Sequence, residues 1–108
     1  MRLSQEEITA LVSAVEFHLP PQFKGTMHLF GSQINDLAKG GDIDLLLVVN
    51  SQADIQNIKM VDYKMVASMK ASSVIGNRKI DFQVVDLDES EKGFYSQALK
   101  GSVVLKQW

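Results

Sequence analysis

The sequence predicts a single α/β (α+β) domain, one mixed β-sheet flanked by helices. Three observations predict it. Segments with helical periodicity alternate with short apolar runs along all 108 residues. A chain of this length buries roughly 65% of its unfolded surface, enough for one core and not two. Hydrophobic residues make up 45% and charged residues 22%, an ordinary globular balance that argues against disorder. With no internal repeat, low-complexity tract or linker, residues 1–108 read as one domain.

The first helix is expected over residues 5–18. Ser4 and Glu7 have the spacing of a capping box, and Ile8, Leu11, Val12, Val15 and Leu19 recur on one helical stripe until Pro20-Pro21 ends it. Met27 to Phe30 reads as a short strand stopped by Gly31-Ser32. A short helix is expected over 33–38, broken by Gly40-Gly41. From Asp42 to Val49 an alternation turns into a solid apolar block, the pattern of a strand buried on both faces whose first residues open onto a cleft.

A helix over 51–70 carries Ile55, Ile58, Val61, Met65 and Met69 on one stripe, with Met60 grouped with Met65 and Met69 as core or interface filler. Val74-Ile75 and residues 79–85 read as two strands of a hairpin turning at Gly76-Asn77. The acidic stretch 86–91 is expected to be a solvated loop, with Asp88 or Ser90 capping a last helix over 93–99. Gly101 ends that helix, and Val103 to Leu105 forms a closing strand. The expected order is α-β-α-β-α-β-β-α-β.

Charge and composition then narrow the function. A net charge of −2 provides no basic field for a nucleic-acid backbone, so nucleic acid is not an expected partner. The absence of cysteine removes a disulfide framework, a thiolate metal site and a thiol nucleophile. The longest apolar run, 43–49 and interrupted by Asp44, is too short to span a bilayer, and the acidic first residues lack an apolar signal core. A cytoplasmic protein is expected.

Three features carry chemistry. Gly31-Ser32, directly after a strand, lets backbone approach a ligand closely and presents amides and a hydroxyl to a phosphate. Asp42 and Asp44, two apart at the mouth of the central strand, share a face with Cα atoms roughly 6.5–7 Å apart. Without a cation they repel each other, which raises at least one pKa. Asp81 sits between Ile80 and Phe82; if those face the core, Asp81 points the other way and completes a three-carboxylate site. An all-oxygen set suits Mg²⁺, and two ions roughly 3.5–4 Å apart would fit phosphoryl or nucleotidyl transfer. His18 and His28 are read as structural, Arg78-Lys79 as exposed charges beside a hairpin, and Phe94, Tyr95 and Trp108 as a possible apolar patch for a partner.

The string Leu29-Phe30-Gly31-Ser32, nine residues, then Asp42-Ile43-Asp44-Leu45 resembles the signature of the DNA polymerase beta-like nucleotidyltransferase superfamily. In length the chain is similar to a minimal nucleotidyltransferase of that superfamily. The resemblance implies that superfamily's fold, a triphosphate held at Gly31 and Ser32, metal ions on Asp42 and Asp44, and Asp81 at the catalytic metal, where it helps activate the incoming hydroxyl. It implies an adenylyltransferase that uses ATP with Mg²⁺, two ions in all. Minimal nucleotidyltransferases typically work beside a HEPN-domain toxin as the antitoxin, so a HEPN-type partner or a homo-oligomer is expected.

Two positions depart from the pattern. Many minimal members carry Arg directly after Gly-Ser and Gly three positions later, where this chain has Gln33 and Asp36. Lys39 is read as supplying the lost positive charge at the phosphates, while Asp36 adds a negative one. A second reading therefore stays open, a weakly active or inactive module that neutralises a partner by contact. A third is a small-molecule or antibiotic adenylyltransferase, whose usual helical domain is missing.

Overall fold

The computed structural model describes residues 3–31 and 42–108. The expected helix over 33–38 and the Gly40-Gly41 break lie outside the described residues. The described elements are α1 (Gln5–Glu16), β1 (Gly25–Phe30), β2 (Ile43–Val49), α2 (Ile55–Ala71), β3 (Ile80–Asp86), α3 (Leu87–Ser90), α4 (Gly93–Lys100) and β4 (Val103–Gln107). They form one four-stranded mixed sheet flanked by helices, the predicted class, with strand order β3-β2-β1-β4.

Helix α1 starts where the capping box placed it. The Glu7 amide donates to the Ser4 hydroxyl at 3.1 Å, and the Ser4 amide donates to the Glu7 carboxylate at 2.8 Å. The helix ends at Glu16, slightly before the expected His18. Burial pushes the Glu7 carboxyl up, but the Ser4 amide and hydroxyl and the Arg78 guanidinium outweigh this and hold it below the usual carboxylate range.

Strand β2 pairs antiparallel with β1 and parallel with β3. Side chains alternate along each strand, so the sheet has two unlike faces. Met27, Leu29, Ile43, Leu45, Leu47, Val49 and Val84 form one face, buried beneath α1 and α2 by Leu11, Val15, Ile58, Met65 and Met69. The other face carries a small cluster, Leu46, Val48 and Val85, covered by Phe30 and by Tyr95 and Leu99 of α4. Met60 is exposed, because it projects away from the stripe that its neighbours bury.

Two expectations fail. The hairpin at Gly76-Asn77 does not form: Val74 and Ile75 lie in turns after α2, and β3 runs parallel to β2 with α2 as the crossover. Ile75 is buried in the main core, so its apolarity reflects a plug and not a strand. The acidic segment is not a loop but the short α3, whose start is capped by Asp86 in a box with Glu89. Ser90 is buried and donates its hydroxyl to the Leu87 carbonyl at 2.6 Å, while α4 begins at Gly93 after Lys92, whose side chain makes no capping bond. The Glu89 amide holds the Asp86 carboxyl below its usual range, as expected of a helix cap.

Candidate carboxylate site

Parallel pairing sets Asp44 directly beside Asp81, while antiparallel pairing sets Phe30 on the other side of Asp44. Residues opposite one another across strands share a face, so Phe30, Asp44 and Asp81 form one row on the face away from the main core. Ile80, Phe82 and Val84 belong to that core, and Asp81 consequently turns outward, exposed, onto the same side as Asp44. Asp42 is exposed just before β2, where the Ile43 amide donates to the Lys79 carbonyl at 2.9 Å.

The electrostatics bear the signature of crowded acids. Burial, then the charges of Asp81 and Asp42, push the Asp44 carboxyl above its usual range, and Lys79 only partly opposes them. The row is therefore short of positive charge, and a cation placed among these oxygens would relieve the repulsion. The donor set is purely carboxylate, which fits a hard ion such as Mg²⁺. Among the described residues, no three His, Cys, Asp or Glu side chains close into a metal-binding group, so the three-carboxylate cluster expected from the sequence is not assembled as such.

Gly31 follows Phe30 with φ +77°, in the left-handed region. A Cβ added there would lie 2.3 Å from Oδ2 of Asp44, so the bend presses bare backbone against that carboxylate. Gly31 and Asp44 are thereby brought together. Ser32, Gln33, Asp36 and Lys39 lie outside the described residues.

The structure gives roles that sequence patterns did not assign, and Arg78, expected to be exposed, is half-buried. Lys79 acts electrostatically on Asp44, whereas Arg78 pairs with Glu7 of α1. The adjacent charges are thus separated, one serving the site and one the scaffold. The Tyr95 hydroxyl donates to Gln83 Oε1 at 2.9 Å, and Gln83 Nε2 donates to Asp81 Oδ1 at 3.4 Å. No short-range signal marks these residues, because β3 and α4 meet only through the fold.

His28 is structural, as expected. Its Nδ1 lies 3.1 Å from Ser102 Oγ, and its Nε2 lies 2.8 Å from Thr26 Oγ1. Ser102 donates its own hydroxyl to the Leu99 carbonyl at 2.9 Å. These bonds assign the proton to Nδ1, with Thr26 donating to Nε2. Burial lowers the His28 pKa, consistent with a neutral ring. His18 bonds Ser68 on α2 at 3.1 Å.

The expected aromatic patch is divided. Phe94 is exposed and meets Phe30 and Tyr95 edge-on, with centroids 6.0 and 5.6 Å apart. Trp108 packs elsewhere, edge-on to Phe23 at 5.4 Å, with its indole donating to Glu16.

No protein-family model matches the chain. No curated protein matches its sequence either. Among the described residues, no helix is long and apolar enough to cross a membrane.

Proposed function

We propose that the chain is a Mg²⁺-dependent nucleotidyltransferase of the polymerase beta-like type, which transfers a nucleoside monophosphate, AMP from ATP above all, to a hydroxyl. The observation that carries this reading is the Phe30–Asp44–Asp81 row, with the Gly31 backbone against the Asp44 carboxylate. Carboxylates crowded at a bend of bare backbone are suited to phosphates that arrive with a cation, and poorly suited to an anion alone.

Asp42 and Asp44, with Asp81 beside them, would hold the metal ions. Bound Mg²⁺ would neutralise phosphate charge and stabilise the departing pyrophosphate. Asp81, exposed at the rim, is the carboxylate available to accept the proton of an incoming hydroxyl. Gly31 leaves room for the Asp44 carboxylate to sit close against the backbone bend. Most of the rate enhancement would come from positioning and charge.

The acceptor we propose is a hydroxyl on a protein partner or on a second copy of the chain. The proposed setting is cytoplasmic, as the antitoxin of a HEPN-type toxin. The second reading, a module that neutralises its partner by contact, is favoured by Gln33 and Asp36.

Labelled ATP with Mg²⁺, with and without a HEPN-type partner, separates the two. Label transfer by the native chain and not by Asp42→Asn/Asp44→Asn is the expected result. Neutralisation of the partner that survives the double substitution, without label transfer, would leave the binding module.

A further inference from the structure

Two residues beyond Asp81 on β3, and on the same face, lies Gln83, in register with Leu46. Its amide is bonded on both sides, to Tyr95 through Oε1 and to Asp81 through Nε2. These bonds fix its orientation. A flipped amide would turn Oε1 towards the Asp81 carboxylate, acceptor against acceptor, whereas the hydroxyl of Tyr95 captures Oε1 and leaves the donor for Asp81.

Tyr95 also belongs to the small cluster of Leu46, Val48 and Val85, so its ring is anchored while its hydroxyl reaches the polar row. Helix α4 has no fully buried residue. Its seating on the sheet is therefore coupled, through a single neutral amide, to the carboxylate beside Asp44.

We propose that Tyr95 and Gln83 are positioning residues that set the Asp81 carboxylate for cation binding, so that the seating of α4 tunes the affinity of the site. The inference rests on the nucleotidyltransferase reading of the carboxylates. A neutral relay suits this task, because it orients an acid without neutralising it and without adding a further negative charge to the row. Outer-shell partners of this kind hold metal-binding carboxylates in place elsewhere.

The test uses the intact chain and Mn²⁺ alone, with free Mn²⁺ read by electron paramagnetic resonance. Tyr95→Phe keeps the ring and Gln83→Leu keeps the approximate volume, so both are expected to keep the native thermal midpoint within a few degrees. Each is expected to weaken Mn²⁺ binding about tenfold. The double variant is expected to bind as Gln83→Leu does, because Tyr95 acts only through Gln83. Without metal, Tyr95→Phe should return the side-chain amide resonances of Gln83 to those of a free amide.

Native-like Mn²⁺ binding by both single variants, multiplying effects in the double variant, or an unchanged Gln83 amide signal would overturn the relay. Mn²⁺ binding by the native chain that Asp44→Asn does not weaken would instead overturn the carboxylate site, and the relay's role in cation binding with it. An altered amide signal would then leave only a structural contact.

Discussion

The two faces of the sheet are built on opposite terms. One is closed: Leu45 and Leu47 of β2 are fully buried beneath α1 and α2, and the face is apolar except at its margins, where Asp86 lies in register with Val49 and Lys106 pairs with Glu16 of α1. The other carries a smaller apolar cluster, Leu46, Val48 and Val85 with Phe30 packed on it, then gives way to His28, Gln83, Asp44 and Asp81. The same central strand supplies both, since alternate side chains point in opposite directions. Burial on the first face provides the stability that lets the second hold mutually repelling carboxylates.

The largest expected effect comes from breaking the closed face. Leu45→Ala should cost about 3 kcal/mol, read by denaturant unfolding, because close packing leaves a cavity that neighbours fill only partly. A comparable loss from substituting His28, Gln83 or Asp81 on the open face would show that the division of labour is wrong.

Gly31→Ala comes next, at roughly 1–2 kcal/mol for an L-residue in the left-handed region. The new Cβ would also displace the Asp44 carboxylate, so cation affinity should fall more than stability does. Calorimetry beside a thermal melt checks both.

Asp44→Asn should act with the opposite sign. The folded-state pKa of Asp44 is raised, so the native fold binds this proton more tightly than the unfolded chain does. Stability is then lost as the pH rises from the usual carboxylate value through the raised one, and the penalty persists above it. Asp44→Asn should melt higher than the native chain at neutral pH, and the gap should close on acidification. Mg²⁺ should stabilise the native chain and not the variant.

His28 sharpens the contrast in the other direction. Its folded-state pKa is lowered, so the stability contributed by the neutral ring is present above the unfolded imidazole value and is lost as the pH falls through the folded one. The amide protons where β1 meets β4 should accordingly lose exchange protection on mild acidification, and His28→Gln should remove that pH dependence. The smallest effect is expected from Phe94→Ser, within about 0.5 kcal/mol, because the side chain is already exposed.

Much of the fold was legible in the sequence. The Ser4–Glu7 box, the stripe of Ile55, Ile58, Met65 and Met69, and the apolar block of β2 all reflect local chemistry or simple periodicity, and the structure places them as expected. The outward turn of Asp81 was legible too, once Ile80 and Phe82 were assigned to the core. The misread segments had ambiguous local cues. Gly76-Asn77 carries the composition of a hairpin turn, but a parallel partner for β2 requires a crossover helix, and α2 supplies it. Asp86-Leu87-Asp88 repeats the Asp-x-Asp spacing, yet Asp86 is committed to capping α3.

Outside residues 74–77 and 86–91, the sequence by itself determined where the described chain turns helical or extended and which side of the central strand is apolar, because those depend on residues within a few positions of one another. Only the tertiary structure decided that Asp44 and Asp81 stand in one row, that Arg78 serves α1 while Lys79 faces the acids, and that Tyr95 reaches Asp81 through Gln83. Each of these depends on strand register and helix docking, which bring together residues far apart along the chain and leave no spacing for the sequence to display.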